Sequence, residues 1–210
     1  MLVSLGFGGF IAGDRPIVDM VSHSLDGESD ACSLVISLPS LLLDEPKNAE
    51  GLFSAAIDDI WQLILQVDSG FAPMDVVFVS VSSACPLAAG FLRYSLLSES
   101  SIVLVSACYD RYVTPFGHTY DPEAKVALPA DVWFDFRALD LSYLPRCLIV
   151  HGCNDLNPST YFSDAYSFYT NAIACGAEIT MLQVSGHYHG YSLLQLAQVS
   201  EFVEDWARRR

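Results

Sequence analysis

Basic residues are scarce in this chain: 10 lysines and arginines stand against 25 acidic residues, a formal charge of -15. That balance repels a phosphate backbone, so nucleic acid is not an expected partner. Long apolar runs are also missing, although 52% of the residues are hydrophobic. No stretch approaches the roughly 18 unbroken apolar residues of a membrane-spanning helix. The uncharged N-terminal segment lacks the basic region of a secretory signal, and Gly6, Gly8 and Gly9 interrupt its apolar part. Paired cysteines are absent. The six present (Cys32, Cys85, Cys108, Cys147, Cys153 and Cys175) are spread singly, mostly inside apolar runs. This spacing fits neither a zinc site nor a disulfide scaffold and reads as buried thiols in a reducing compartment. Internal repeats and low-complexity segments are not seen. These absences leave a soluble, cytoplasmic protein. At 210 residues, a single domain over 1–210 is expected.

The residues that are present alternate between two periods. Met1 to Leu5, Ser33 to Leu38, Asp75 to Ser80, Ser101 to Val105, Cys147 to Val150 and Glu178 to Val184 read as short buried strands. Between them, Phe53, Ala56, Ile60, Leu63, Ile64 and Val67 recur at three and four, the spacing of an amphipathic helix. Ile17, Val18, Met20 and Val21 indicate an earlier helix. Pro158 and Ser159 look like a helix start, with Gly176 as the cap at its end. A last helix carries Leu193 to Trp206 and ends in three arginines, suited to its negative dipole end. Cys108 to Pro145 is aromatic-rich and without period. The predicted fold is α/β: a mostly parallel sheet of about six strands with helices on both faces. In such sheets the working loops lie beyond the carboxyl ends of the strands.

The loops in those places hold the residues of acyl-transfer chemistry, which needs a nucleophile, a base, an acid to orient the base, and N–H donors for the oxyanion. At the end of the third strand stands Ser80-Val81-Ser82-Ser83-Ala84-Cys85-Pro86. A tight strand-to-helix turn requires small residues two before and two after the nucleophile, and an N–H on the next residue. Ser82 meets this with Ser80, Ala84 and Ser83. Ser83 would place the β-branched Val81 in a crowded position, and Cys85 is followed by Pro86, which has no N–H. Asp155, just after the fifth strand, is the candidate acid. His189, after the sixth, is the candidate base, with His187 as a rival that spacing alone leaves open. Gly8 and Gly9, after the first strand, join Ser83 as candidate oxyanion donors. No lysine or hydroxyl motif of a phosphate-binding loop follows Gly9.

Taken together, these segments resemble one branch of a known family. Gly6-Phe7-Gly8-Gly9-Phe10-Ile11-Ala12-Gly13 is similar to the His-Gly-Gly-Gly-Phe-x-x-Gly oxyanion loop of the hormone-sensitive-lipase-like α/β-hydrolases. Phe53-Ser54-Ala55-Ala56-Ile57-Asp58-Asp59 resembles that branch's Phe-Pro-Ala-Ala-x-x-Asp helix, and Ser80 to Ala84 with Leu87-Ala88-Ala89 resembles its Gly-Asp-Ser-Ala-Gly elbow. His151 to Asp155 and Val184 to Tyr191 are similar to its acid loop and its Gly-x-x-His loop, and the second of these selects His189 over His187. Gly6, Phe7, Ser80, Val81 and Ala84 depart from the family pattern.

The resemblance implies a core that begins at the family's third strand and lacks most of its cap, with Ser33 to Leu38 as a sheet edge. It implies a cofactor-free and metal-free serine carboxylesterase acting on small acyl esters through Ser82, His189 and Asp155, with Gly8, Gly9 and Ser83 holding the oxyanion. The exposed edge offers a route to a homodimer. The alternative, set by the departures, is a non-catalytic relative: a small-molecule binding protein or an inactive truncated copy.

Overall fold

The computed structural model describes residues 2–7, 33–38, 58–67, 69–82, 85, 99–107, 109, 140–156, 160–186 and 193–209. Apolar runs of five or six residues form six strands: β1 (Leu2–Phe7), β2 (Ser33–Leu38), β3 (Val77–Val81), β4 (Ser101–Val105), β5 (Cys147–Gly152) and β6 (Ile179–Val184). They pair in one sheet, in the order β2-β1-β3-β4-β5-β6, and every pairing is parallel. A parallel ladder needs cover on both faces, which is why β3, β4 and β5 are buried along their whole length and read as continuous apolar runs rather than alternating ones. As expected, β2 is an edge strand, with β6 at the opposite edge.

Several boundaries differ from the sequence reading. β1 runs on through Gly6 and Phe7, because they pair with Ser37 and Leu38 of β2, so the strand takes in the first two residues of the glycine-rich segment. Asp75 belongs to a 3-10 turn, Pro73–Asp75, whose Asp75 carboxylate accepts from the Ala72 N–H at 2.9 Å. β5 includes His151 and Gly152, drawn in by pairing with Gln183 and Val184 of β6.

Three helices are described. Residues 58–67 form α1, which buries Ile60 and Ile64 while Leu63 and Val67 stay 42% and 47% exposed. Its i, i+4 ridge faces inward and its i+3 neighbours do not, a narrower stripe than the pattern predicted. α2 (Phe162–Ala174) starts later than Pro158 and Ser159 implied. It ends as predicted, with Gly176 at φ 81 closing the helix through Gly176 N–H to Ile173 O at 2.9 Å and Ala177 N–H to Ala172 O at 3.0 Å. α3 spans Leu193–Arg208. The earlier helix candidate at Ile17 to Val21 and most of the aromatic-rich region lie outside the described residues.

Side chains of a strand point alternately to the two faces of a sheet, and the packing follows that alternation. Val77, Val79 and Val81, Val103 and Val105, Leu148 and Val150, and Val184 form one core with Val199, Val203 and Trp206 of α3. On the other face, Tyr109 stacks on Phe168 of α2 with centroids 4.8 Å apart, and the His151 ring lies 6.2 Å from that of Phe162. Helices thus cover both faces. Arg146 ties α3 to the start of β5: its guanidinium lies 4.0 Å from the Trp206 ring centre, donates to the Trp206 carbonyl, and pairs with Glu178 at 3.1 Å. A cation at that carbonyl also complements the negative end of the helix. Among the described residues no helix is long and apolar enough to cross a membrane.

Candidate active site

The loops that leave the carboxyl ends of the strands carry the candidate residues, and parallel pairing brings those ends to one edge of the sheet. Ser82 directly follows Val81, the last residue of β3, and has φ 51; Cys85, three residues on, is already helical. A left-handed backbone on a non-glycine residue costs of order 1 kcal/mol or more and persists only where its surroundings hold it. Here β3, paired on both sides up to Ser80 and with β4 up to Val81, holds the residue before it in place. Ser82 is part-exposed, whereas the strand residues before it are buried. Cys85 is buried, with its thiol donating to the Val105 carbonyl at 3.8 Å, so it is not placed to act as a nucleophile.

Ser80, two residues before Ser82, lies in the crowded part of the turn. It pairs with Leu5 of β1 and Leu104 of β4, and its fully buried hydroxyl meets no hydrogen-bond partner among the described residues. Such a hydroxyl costs about 1–3 kcal/mol. A glycine at this place would carry no such group.

Asp155 sits in the loop after β5 and is 2% exposed. The loop is drawn tight by the Asp155 N–H donating to Gly152 O and by the Cys153 N–H donating to Val184 O of β6, both at 3.1 Å. A carboxylate this deep needs donors. The Thr160 hydroxyl donates to Asp155 Oδ2 at 2.9 Å, and His151 Nε2 lies 3.5 Å from the same oxygen. His151 Nε2 also meets Thr160 O at 2.8 Å. A carbonyl only accepts, so Nε2 carries the ring proton. The other ring nitrogen, Nδ1, is buried and has no hydrogen-bond partner among the described residues.

β3 and β5 are separated only by β4. At about 4.8 Å between strands, their ends are about 10 Å apart, a gap that needs a third group to bridge it. His189, the candidate for that role, and its rival His187 follow β6 in the chain and lie outside the described residues, as do Gly8, Gly9 and Ser83. The structure therefore describes Ser82 and Asp155 of the predicted set. It also adds His151 and Thr160, whose contacts with Asp155 the sequence reading missed. The available signal was weak: a histidine four residues before the acid and a threonine five after it. Among the described residues no group of three or more His, Cys, Asp or Glu is placed to hold a metal ion.

No protein-family model matches the sequence, and no curated protein matches it. Solved structures do. An esterase from Rhizomucor miehei superposes with a TM-score of 0.62 at 14% identity, over 99% of this chain and 72% of its own. Carboxyl esterase 2 from Tuber melanosporum gives 0.65 at 15%, over 99% and 78%. The sugar hydrolase YeeB from Lactococcus lactis gives 0.66 at 11%, over 99% and 88%. What is shared at these identities is the fold: a parallel α/β sheet of the α/β-hydrolase type, of which the structural neighbours named here are esterases and a sugar hydrolase.

Proposed function

We propose that this chain is a serine carboxylesterase that hydrolyses small acyl esters. The observation that carries the reading is the left-handed backbone of Ser82 at the end of β3, two strands from the buried carboxylate of Asp155. In the proposed reaction, Ser82 Oγ attacks the ester carbonyl while His189 takes its proton. Asp155 orients His189 and stabilises the imidazolium that forms. The N–H groups of Gly8, Gly9 and Ser83 hold the oxyanion. Collapse of the tetrahedral species expels the alcohol, which receives the proton from His189. Water, activated by His189, then attacks the acyl-enzyme; collapse releases the acid and returns Ser82. The esterase names of two of the structural neighbours support a small-molecule ester as substrate. So does the order of the loops, with Gly8 and Gly9 following β1, the strand beside β3, and His189 following β6, the strand beside β5.

The test is hydrolysis of p-nitrophenyl acetate and butyrate by the purified protein and by Ser82→Ala, together with labelling by a fluorophosphonate. Ester turnover that Ser82→Ala abolishes, and a label on Ser82, are expected. Equal rates in both proteins, or turnover by neither, would leave the non-catalytic reading in its place.

A further inference from the structure

One donor, the Thr160 hydroxyl, meets Oδ2 of Asp155 and the His151 ring lies beside that oxygen; the two form a buried pair with no role in the proposed chemistry. Thr160 is 1% exposed and His151 is fully buried. The Thr160 hydroxyl donates to Oδ2 at 2.9 Å, while its carbonyl, on the same residue, accepts from His151 Nε2 at 2.8 Å. His151 Nε2 is in turn 3.5 Å from Oδ2. The three groups close a ring in which each fixes the next. His151 is held from outside by aromatic walls, Tyr109 and Phe162, each with its ring centre 6.2 Å from the imidazole. One hydrogen bond leaves a carboxylate free to turn about its Cβ–Cγ bond. Here the Thr160 hydroxyl bonds Oδ2 while the buried His151 ring, itself held by the Thr160 carbonyl, packs against the same oxygen; together they restrain that rotation, and with it the direction in which Oδ1 points.

We infer that Thr160 is a positioning residue, backed by His151, that sets the orientation of the Asp155 carboxylate and through it the orientation and basicity of the catalytic histidine. This rests on the reading of Asp155 as the acid of the triad. An acid whose oxygens are misdirected stabilises an imidazolium less, so the base binds its proton less tightly. Loss of the Thr160 hydroxyl therefore moves the acid limb of the kcat/KM profile to lower pH and lowers kcat, with KM unchanged. A residue that merely stabilised the fold would reduce the number of active molecules and leave the shape of the pH profile alone.

The experiment compares the wild type with Thr160→Val, which keeps the volume and removes the hydroxyl, and with Thr160→Ser, which keeps the hydroxyl. Rates on p-nitrophenyl acetate are normalised to the fraction labelled by a fluorophosphonate, so that misfolded protein is not counted. Thr160→Val is expected to lose on the order of 10-fold in kcat, what one hydrogen bond to a charged group is worth. Its acid limb should shift downward, and Thr160→Ser should restore both. If Thr160→Val does not accumulate folded, Thr160→Ala and Thr160→Cys make the same comparison against Thr160→Ser. A Ser82-dependent wild-type activity whose pH profile is the same in the hydroxyl-less variants overturns the inference and spares the esterase reading. The absence of Ser82-dependent activity in the wild type overturns both.

Discussion

At the scale of single residues, the turn at Ser82 combines the proposed nucleophile with a conformational demand. Its φ of 51 is one that glycine adopts without strain and alanine does not. Ser82→Gly and Ser82→Ala both remove the hydroxyl, so both should be inactive, yet Ser82→Gly should be the more stable by about 1 kcal/mol in urea unfolding. Equal stabilities would show that the turn is not strained in solution. The thiols divide by burial in the same way. Cys147 lies fully inside β5, and desolvation pushes its thiol from an ordinary 9.0 to about 12. Below pH 9.0 the folded and unfolded chains both keep this proton; above it only the unfolded chain releases it, so the stability contribution is lost as pH rises from 9.0 towards about 12. At pH 8 in the native protein, iodoacetamide should therefore label the exposed Cys175 and spare Cys147, as peptide mapping would show.

For the elements, termini matter more than interiors. The end of α2 rests on Gly176, whose φ of 81 lets its own N–H and that of Ala177 reach back to Ile173 and Ala172. A Cβ at this position meets nothing within 4 Å, so crowding is not what excludes a side chain. The cost is conformational. Gly176→Ala should lower stability by about 1 kcal/mol, read as a fall in Tm with the far-UV circular dichroism of the folded protein unchanged. Where strands end is set differently: β1 and β5 each gain two residues at their carboxyl ends over the sequence reading because a neighbouring strand offers partners for them. Apolar pattern marks the middle of a strand, whereas the neighbour's ladder decides its end.

For the whole molecule, α3 is the clamp. Val199, Val203 and Trp206 close one face of the sheet, and Arg146 pins the last turn of the helix to the start of β5. Trp206→Ala should cost about 3–5 kcal/mol through the cavity and the lost aromatic–guanidinium contact. Denaturant unfolding gives the figure, and a loss below about 1 kcal/mol would mean that the helix is not part of the cooperative core. The α/β alternation, the positions of all six strands, and the placement of Ser82 after β3 and of Asp155 after β5 were legible in the chain itself. Each depends on local physics: short continuous apolar runs for buried strands, the 3.6 period for helices, and small polar residues where a strand ends. The order β2-β1-β3-β4-β5-β6, the split of α2 and α3 between faces, and the hold of Thr160 and His151 on Asp155 were decided only in the tertiary structure. Periodicity shows that a strand is buried, but not beside which other strand. A loop's composition likewise does not say where its hydroxyl and imidazole will point until packing against β5 and α2 has fixed them.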